Sequence, residues 1–252
     1  MNKVFCVAMV VLAVILTVAP AAFSAEITVV STTAVQETIS DLIPQFEKVS
    51  GNTVKPIWGG TPVVTKRIAG GEVFDIVIIP ASGIDEFIKQ GRLAAGSRID
   101  FVKSKIGVAI RPGTPKPDIS SGETLKSALL AAKSIVLSGG PSGGYLTGLF
   151  KRMGIADAMK TKIKLLAPGQ LVGEALARGE GDIGFTQISE FLMVKGIDYI
   201  GPLPADIQSV TVYSMGLHAG APSKEAAKAL IKFLTSPEAV SAIRTRGLEP
   251  AF

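Results

Sequence analysis

The stretch Ser138 to Phe150, Ser-Gly-Gly-Pro-Ser-Gly-Gly-Tyr-Leu-Thr-Gly-Leu-Phe, concentrates the groups in this chain best suited to meet a ligand. It follows an apolar run, Ser134 to Leu137, that reads as a strand, and it leads into a helical pattern ending near Gly154. A helix entered through small residues leaves the N–H groups of its first turn free, with the positive end of its dipole behind them. Glycines 139, 140, 143 and 144 let the backbone approach a ligand without Cβ clashes, and Ser142 adds a hydroxyl donor. Such a place seats an oxyanion or a carboxylate. It serves equally as a plain Gly-rich strand-to-helix turn. The Gly-Lys-Ser/Thr ending of a phosphate-binding P-loop is missing, and so is the dinucleotide Gly-x-Gly-x-x-Gly spacing.

Similar groups recur elsewhere. Ser31, Thr32 and Thr33 sit between a β-branched run, Ile27 to Val30, and a helical pattern marked by Ile39, Leu42, Ile43 and Phe46. Gly59-Gly60-Thr61-Pro62 separates a second strand, Val54 to Trp58, from a helix carrying Val64 and Ile68. Gln187 ends a strand that begins at Asp182. Ligands of open α/β sheets gather at such strand ends. Lys66 and Arg67 are candidates to pair with an organic anion, and Trp58 to floor the pocket. Catalysis finds less support. The lone histidine, His218, follows a strand over 210–217 and reads as a hinge or surface residue, which leaves no Ser-His-Asp arrangement. Glu37 and Glu190 read as solvated helix-face carboxylates. Acidic residues show no metal-ligand spacing, so neither metal nor cofactor is expected, and no catalytic residue is assigned.

The elements that position these groups alternate between strands and helices along the chain, which calls for α/β architecture with mainly parallel sheets. Before them come Met-Asn-Lys, an apolar run from Val4 to Val18 and a small-residue exit through Ala25. That is the pattern of a secretory signal peptide over residues 1–25. The mature protein is therefore expected in the periplasm, not embedded in the membrane. The one cysteine, Cys6, lies in the apolar run, so the mature chain has no disulfide and no thiolate metal site. Lys and Arg total 26 against 21 Asp and Glu, a net charge of +5, with the basic residues dispersed. This suits an anionic small molecule better than nucleic acid. The Pro- and Lys-rich segment from Pro112 to Ser121 reads as a connection between lobes. Strands near 106–110 and 210–217 are the natural crossings of a clamshell. Lobe 1 would comprise 26–108 and 214–252, lobe 2 would comprise 109–213, and the ligand would lie between them.

Ile27-Thr28-Val29 with its small-residue turn, Gly59-Gly60-Thr61, Asp75-Ile76-Val77-Ile78 and the closing Ser236-Pro237-Glu238-Ala239 together resemble the periplasmic molybdate-binding proteins over essentially the whole mature chain. The resemblance implies a two-lobed type II periplasmic binding fold with two hinge crossings. It also implies a monomer that hands an anion to an ABC transporter permease. In that family serine hydroxyls, backbone N–H groups and a tyrosine hold the anion without metal. Carried over, the first family serine falls at Ala34 beside Ser31, Thr32 and Thr33, and the second at Thr61. The backbone donors fall at Ser142, next to Gly143, and at Val172. The tyrosine falls at Gln187. A glutamine with added glycines suits a larger, carboxylate-bearing ligand. Pro117-Asp118-Ile119-Ser120-Ser121, Gln187-Ile188-Ser189-Glu190 and Gly201-Pro202-Leu203-Pro204 carry a narrower resemblance, to bacterial aconitate isomerases on this fold. That likeness implies a tricarboxylate ligand and leaves an isomerase as the alternative.

Overall fold

Strand β1 (Glu26–Thr32) is buried on both faces, with Ile27, Val29 and Val30 fully out of solvent, so it must lie inside a sheet covered on two sides. In the computed structural model, which describes residues 24–252, β1 runs parallel to β2 (Thr53–Gly59) on one side and to β3 (Ile76–Pro80) on the other. The expected signal peptide, including Cys6, lies outside the described residues except for its last two positions. Helices α1 (Gln36–Ser50), α2 (Thr61–Ala69) and α3 (Ala81–Lys89) alternate with these strands. Each returns the chain to the same edge, as parallel pairing requires. Gly51 ends α1 in the left-handed conformation, φ 72°, which costs a residue without Cβ nothing.

The next strand, β4 (Ile99–Ile110), belongs to both halves of the molecule. From Ile99 to Lys105 it pairs antiparallel with β9 (Val210–Leu217), and from Ile106 to Ile110 with β7 (Ile183–Gln187). Its far half also pairs with β8 (Asp198–Pro202). Between β4 and β7 in sequence come α4 (Gly122–Ala131), β5 (Ile135–Leu137), α5 (Pro141–Arg152), α6 (Ala156–Met159), β6 (Ile163–Leu165) and α7 (Val172–Ala177). The short α8 (Ile188–Leu192) follows β7, while α9 (Lys224–Leu234), α10 (Ala239–Thr245) and β10 (Glu249–Pro250) close the chain after β9. Strand order is β2-β1-β3-β9-β4-β7-β5-β6, with β8 and β10 added beside β4. Parallel pairing holds within β2-β1-β3 and within β7-β5-β6, and the strands that join the halves run antiparallel to them.

Each lobe has its own core. Ile27, Val29, Leu42, Phe46, Tyr213 and Met215 pack in the first, and Ile106, Val108, Leu137, Leu146, Phe150 and Phe185 in the second. The crossing is therefore made in the middle of β4, where the pairing partner changes. The segment Pro112 to Ser121, expected to join the lobes, instead links β4 to α4 within the second. It ends in a capping box, with Ser121 and Thr124 each accepting the other's N–H through a side-chain oxygen at 3.2 and 3.0 Å. In the first lobe the fully buried Asp75 ties three segments. It accepts the N–H and the hydroxyl of Thr28, both at 2.8 Å, and the Ser223 N–H at 2.6 Å. Among the described residues no helix is long and apolar enough to cross a membrane.

Candidate functional site between the lobes

Three strand-to-helix turns converge at the seam. Thr32 ends β1 and Thr33 follows it, Gly60 and Thr61 follow β2, and Ser138 to Ser142 follow β5; all line one cavity. Gly169 and Gln170, Gln187, Glu190 and Tyr213 complete its wall. Helices α2 and α5 begin at this wall. Their N-cap residues, Gly60 and Gly140, have extended backbones and no side-chain cap. Pro62 and Pro141 carry no N–H and the Gly60 carbonyl takes the Val63 N–H at 2.9 Å, so Thr61 in α2 and Ser142 and Gly143 in α5 are the first-turn N–H groups left for an external acceptor. The hydroxyls are already coupled: Thr61 Oγ1 donates to Thr32 Oγ1 at 3.3 Å, and Ser138 and Ser142 share a hydrogen bond of 2.7 Å.

The lobes are drawn together around this space. A Cβ on Gly60 would lie 2.4 Å from the Gly169 nitrogen, so the two backbones meet where no side chain fits. Thr33 Oγ1 donates to Glu190 Oε1 at 2.6 Å, and Ser189 Oγ donates to the Ala34 carbonyl at 2.7 Å, both across the seam. The free space left is about 30 Å³, more than a single water needs.

The electrostatics are unusual for an anion site, because the wall includes a carboxylate and neither lysine nor arginine. Both oxygens of Glu190 are engaged, Oε1 by Thr33 and Oε2 by Thr186. Tyr213, supplied by β9, is 1% exposed. Burial, and secondarily the negative charge of Glu190, push its phenol well above the usual tyrosine range, so it remains an un-ionised donor. Gln187 is 2% exposed, and neither its Nε2 nor its Oε1 has a hydrogen-bond partner. A buried amide without partners is costly, and both of its polar groups are open to hydrogen bonding in the cavity.

Of the residues singled out in the sequence, Thr32, Thr33, Gly60, Thr61, Ser142 and Gln187 line the cavity, while Ser31, Gly143 and Val172 do not. Ser31 points to the other face of β1, as strand alternation demands, and its hydroxyl donates to the Thr32 carbonyl at 3.3 Å. Gly143 presses on the preceding turn, where an added Cβ would fall 1.8 Å from the Ser138 carbonyl oxygen. Val172 packs with Ala109, Val136 and Phe191, and the loop residues Gly169 and Gln170 take the place expected for it.

Lys66 and Arg67 are likewise not in the wall. Arg67 is paired with Glu72 at 2.6 Å and lies over the Phe74 ring, its centre 5.1 Å away. Trp58 packs against the first core, and Glu37 lies 3.8 Å from Arg246. His218 sits near Asp75 and Arg92, its proton affinity lowered mainly by burial. Glu190, by contrast, is in the cavity rather than on a solvated helix face. It is the third residue of α8, the short helix that opens directly after the strand end at Gln187, and that position beside the strand end was the available signal. Tyr213 had none beyond its place on a hinge strand.

A two-lobed α/β clamshell with a polar seam between its halves defines a class, that of solute-binding proteins. The chain belongs to the bacterial extracellular solute-binding protein family, whose model matches residues 27–249. It is 37% identical over 230 residues to the aconitate isomerase of a Pseudomonas species, covering 89% of this chain and 87% of that protein. It is 25% identical over 237 residues to the molybdate-binding protein ModA of Azotobacter vinelandii, covering 90% of this chain and 91% of the relative. Among solved structures, the periplasmic molybdate-binding protein of Azotobacter vinelandii superposes with a TM-score of 0.73 at 21% identity, over 88% of this chain and 98% of that one.

Proposed function

We infer that this protein captures an anionic small molecule between its lobes, in the periplasm, and presents it to an ABC transporter. The observation that carries the reading is the convergence of uncapped helix N-termini, hydroxyls and the unpartnered Gln187 amide on one closed seam. Partial positive charge from two helix ends favours negative oxygen there without any side-chain cation. Groups from both lobes touch the ligand only when the lobes are together, so binding shifts the population toward the closed form. The molybdate-binding relatives support an oxyanion as the solute, and the aconitate isomerase relative supports a carboxylate. A thermal-shift screen of molybdate, tungstate, sulfate and di- and tricarboxylates tests this. A true ligand raises the midpoint in proportion to the logarithm of its concentration, and no shift with any of them ends the anion reading.

A second reading is favoured by Glu190 and by the likeness to an aconitate isomerase. Isomerising an unsaturated tricarboxylate requires a group that takes a proton from one end of an allylic unit and returns one at the other. Glu190 is the carboxylate placed to carry it, with un-ionised Tyr213 in the same wall. Incubating the purified protein with cis- or trans-aconitate and following their ratio by NMR decides the matter. Interconversion lost in Glu190→Gln supports the enzyme, and an unchanged ratio with the wild type leaves binding alone.

A further inference from the structure

We propose that the solute is an oxyanion bearing its own O–H group, and that Glu190 and Gln187 select it against oxyanions with no proton to donate. The inference deepens the anion-binding reading and rests on it. An ionised carboxylate accepts hydrogen bonds and donates none. Thr33 and Thr186 each direct a hydroxyl hydrogen to Glu190, so Thr33 turns only lone pairs toward any other neighbour. The buried Gln187 amide sets one acceptor beside one donor, both without protein partners. The wall thus presents Glu190, the Thr33 oxygen and Gln187 Oε1 as acceptors, and no lysine or arginine lines it to offset them.

A ligand made only of negative oxygen would set lone pairs against lone pairs on that side. The uncapped turns of α2 and α5 would satisfy its other oxygens but not these. A ligand with an O–H, whether an alcohol beside a carboxylate or an acid proton, turns the conflict into a hydrogen bond. Its charged oxygens then face the helix ends and the Gln187 Nε2, while its O–H faces the acceptors. Charge-assisted bonds of this kind are short and strong, and a site built to receive a hydroxyl rejects the analogue that lacks it.

Calorimetry on the purified full chain, freed of bound solute, reads the preference through matched probes at neutral pH: malate against succinate, citrate against tricarballylate, hydrogen phosphate against sulfate, with molybdate and tungstate alongside. The O–H member of whichever pair binds is expected to bind at least tenfold tighter than its partner. It should also bind at least tenfold tighter than molybdate or tungstate. A fully deprotonated oxyanion binding as tightly as the best O–H probe overturns the proposal while leaving the anion reading intact. Binding by none of the probes removes the anion reading and this proposal with it. Glu190→Gln, whose amide can donate, is expected to shrink the wild-type preference by tenfold or more. A folded E190Q protein that keeps the full preference also overturns the proposal.

Discussion

Thr33 and Glu190 join the two lobes through a single hydrogen bond, Oγ1 to Oε1 at 2.6 Å, from the turn after β1 to the first turn of α8. The Ser189 hydroxyl doubles the tie one residue earlier by donating to the Ala34 carbonyl at 2.7 Å. Hydrogen bonds to a charged group contribute roughly 1.5–3 kcal/mol and neutral ones about 1 kcal/mol. Neither bond survives separation of the lobes, so both favour the closed form.

Removing the Ser189 tie is therefore expected to open the protein. Ser189→Ala should raise the radius of gyration of the ligand-free protein in small-angle X-ray scattering. The apparent Kd of the tightest anion should weaken about fivefold, in keeping with a loss of about 1 kcal/mol. Identical scattering profiles would show that the tie does not set the balance.

Gly60 tests closure from the backbone side. Its φ of −61° and ψ of 148° suit any residue, so Gly60→Ala should leave the melting temperature within a few degrees of the wild type. The new Cβ would meet the Gly169 nitrogen at 2.4 Å and hold the lobes apart. Anion affinity should fall more than tenfold by calorimetry. Full affinity in the variant would mean that the ligand binds without that contact.

Thr61 and Ser142 stand on opposite lobes, each at the start of a helix. Thr61→Ala combined with Ser142→Ala should weaken anion binding at least tenfold, about 1.4 kcal/mol. Calorimetry that finds the affinity unchanged would place the ligand elsewhere.

Much of this was legible in the sequence, for physical reasons. Runs apolar on both faces, such as Ile27 to Val30 and Ile76 to Ile79, can only be strands inside a covered sheet, and they are. Small and hydroxyl residues at helix starts marked the seam because a ligand must reach the backbone there. Lys66 and Arg67 were drawn in too readily. They occupy the last turn of α2 while the cavity lies at its first, and a rise of about 1.5 Å per residue carries them away. Glu190 and Tyr213 were harder, because long-range contacts set their directions. Glu190 is aimed by Thr33 and Thr186, and Tyr213 by the register of β9 against β3 and β4, where it faces Pro80 and Val102.

Asp75, which the sequence offers only as part of the family resemblance, anchors the first lobe. Asp75→Ala should destabilise the protein by about 2–4 kcal/mol, since it removes a fully buried acceptor and strands the half-buried donors of Thr28 and Ser223. Chemical denaturation measures the loss, and a change below about 1 kcal/mol would contradict the role assigned to it.

Acid should act partly through Asp182, which the Arg111 guanidinium at 2.9 Å holds below the usual carboxylate range, against the opposing effect of burial. A carboxylate whose pKa is lower folded than unfolded adds stability above its unfolded value, near 3.9, and loses it as pH falls through the folded value. The melting temperature should thus decline below about pH 4. Asp182→Asn should flatten part of that decline, and an identical acid limb in the variant would exclude the pair as its source.

The position of β9 also bears on how the protein is made. Bonded on one edge to β3 and on the other to β4, it is a middle strand of the first sheet, yet it is among the last segments synthesised. The β7-β5-β6 sheet, with α4 and α5 over it, draws all its strands from one uninterrupted span of chain. As the chain emerges, that half can complete its fold while the earlier one waits with a gap at its centre, a natural stage for a chaperone to hold.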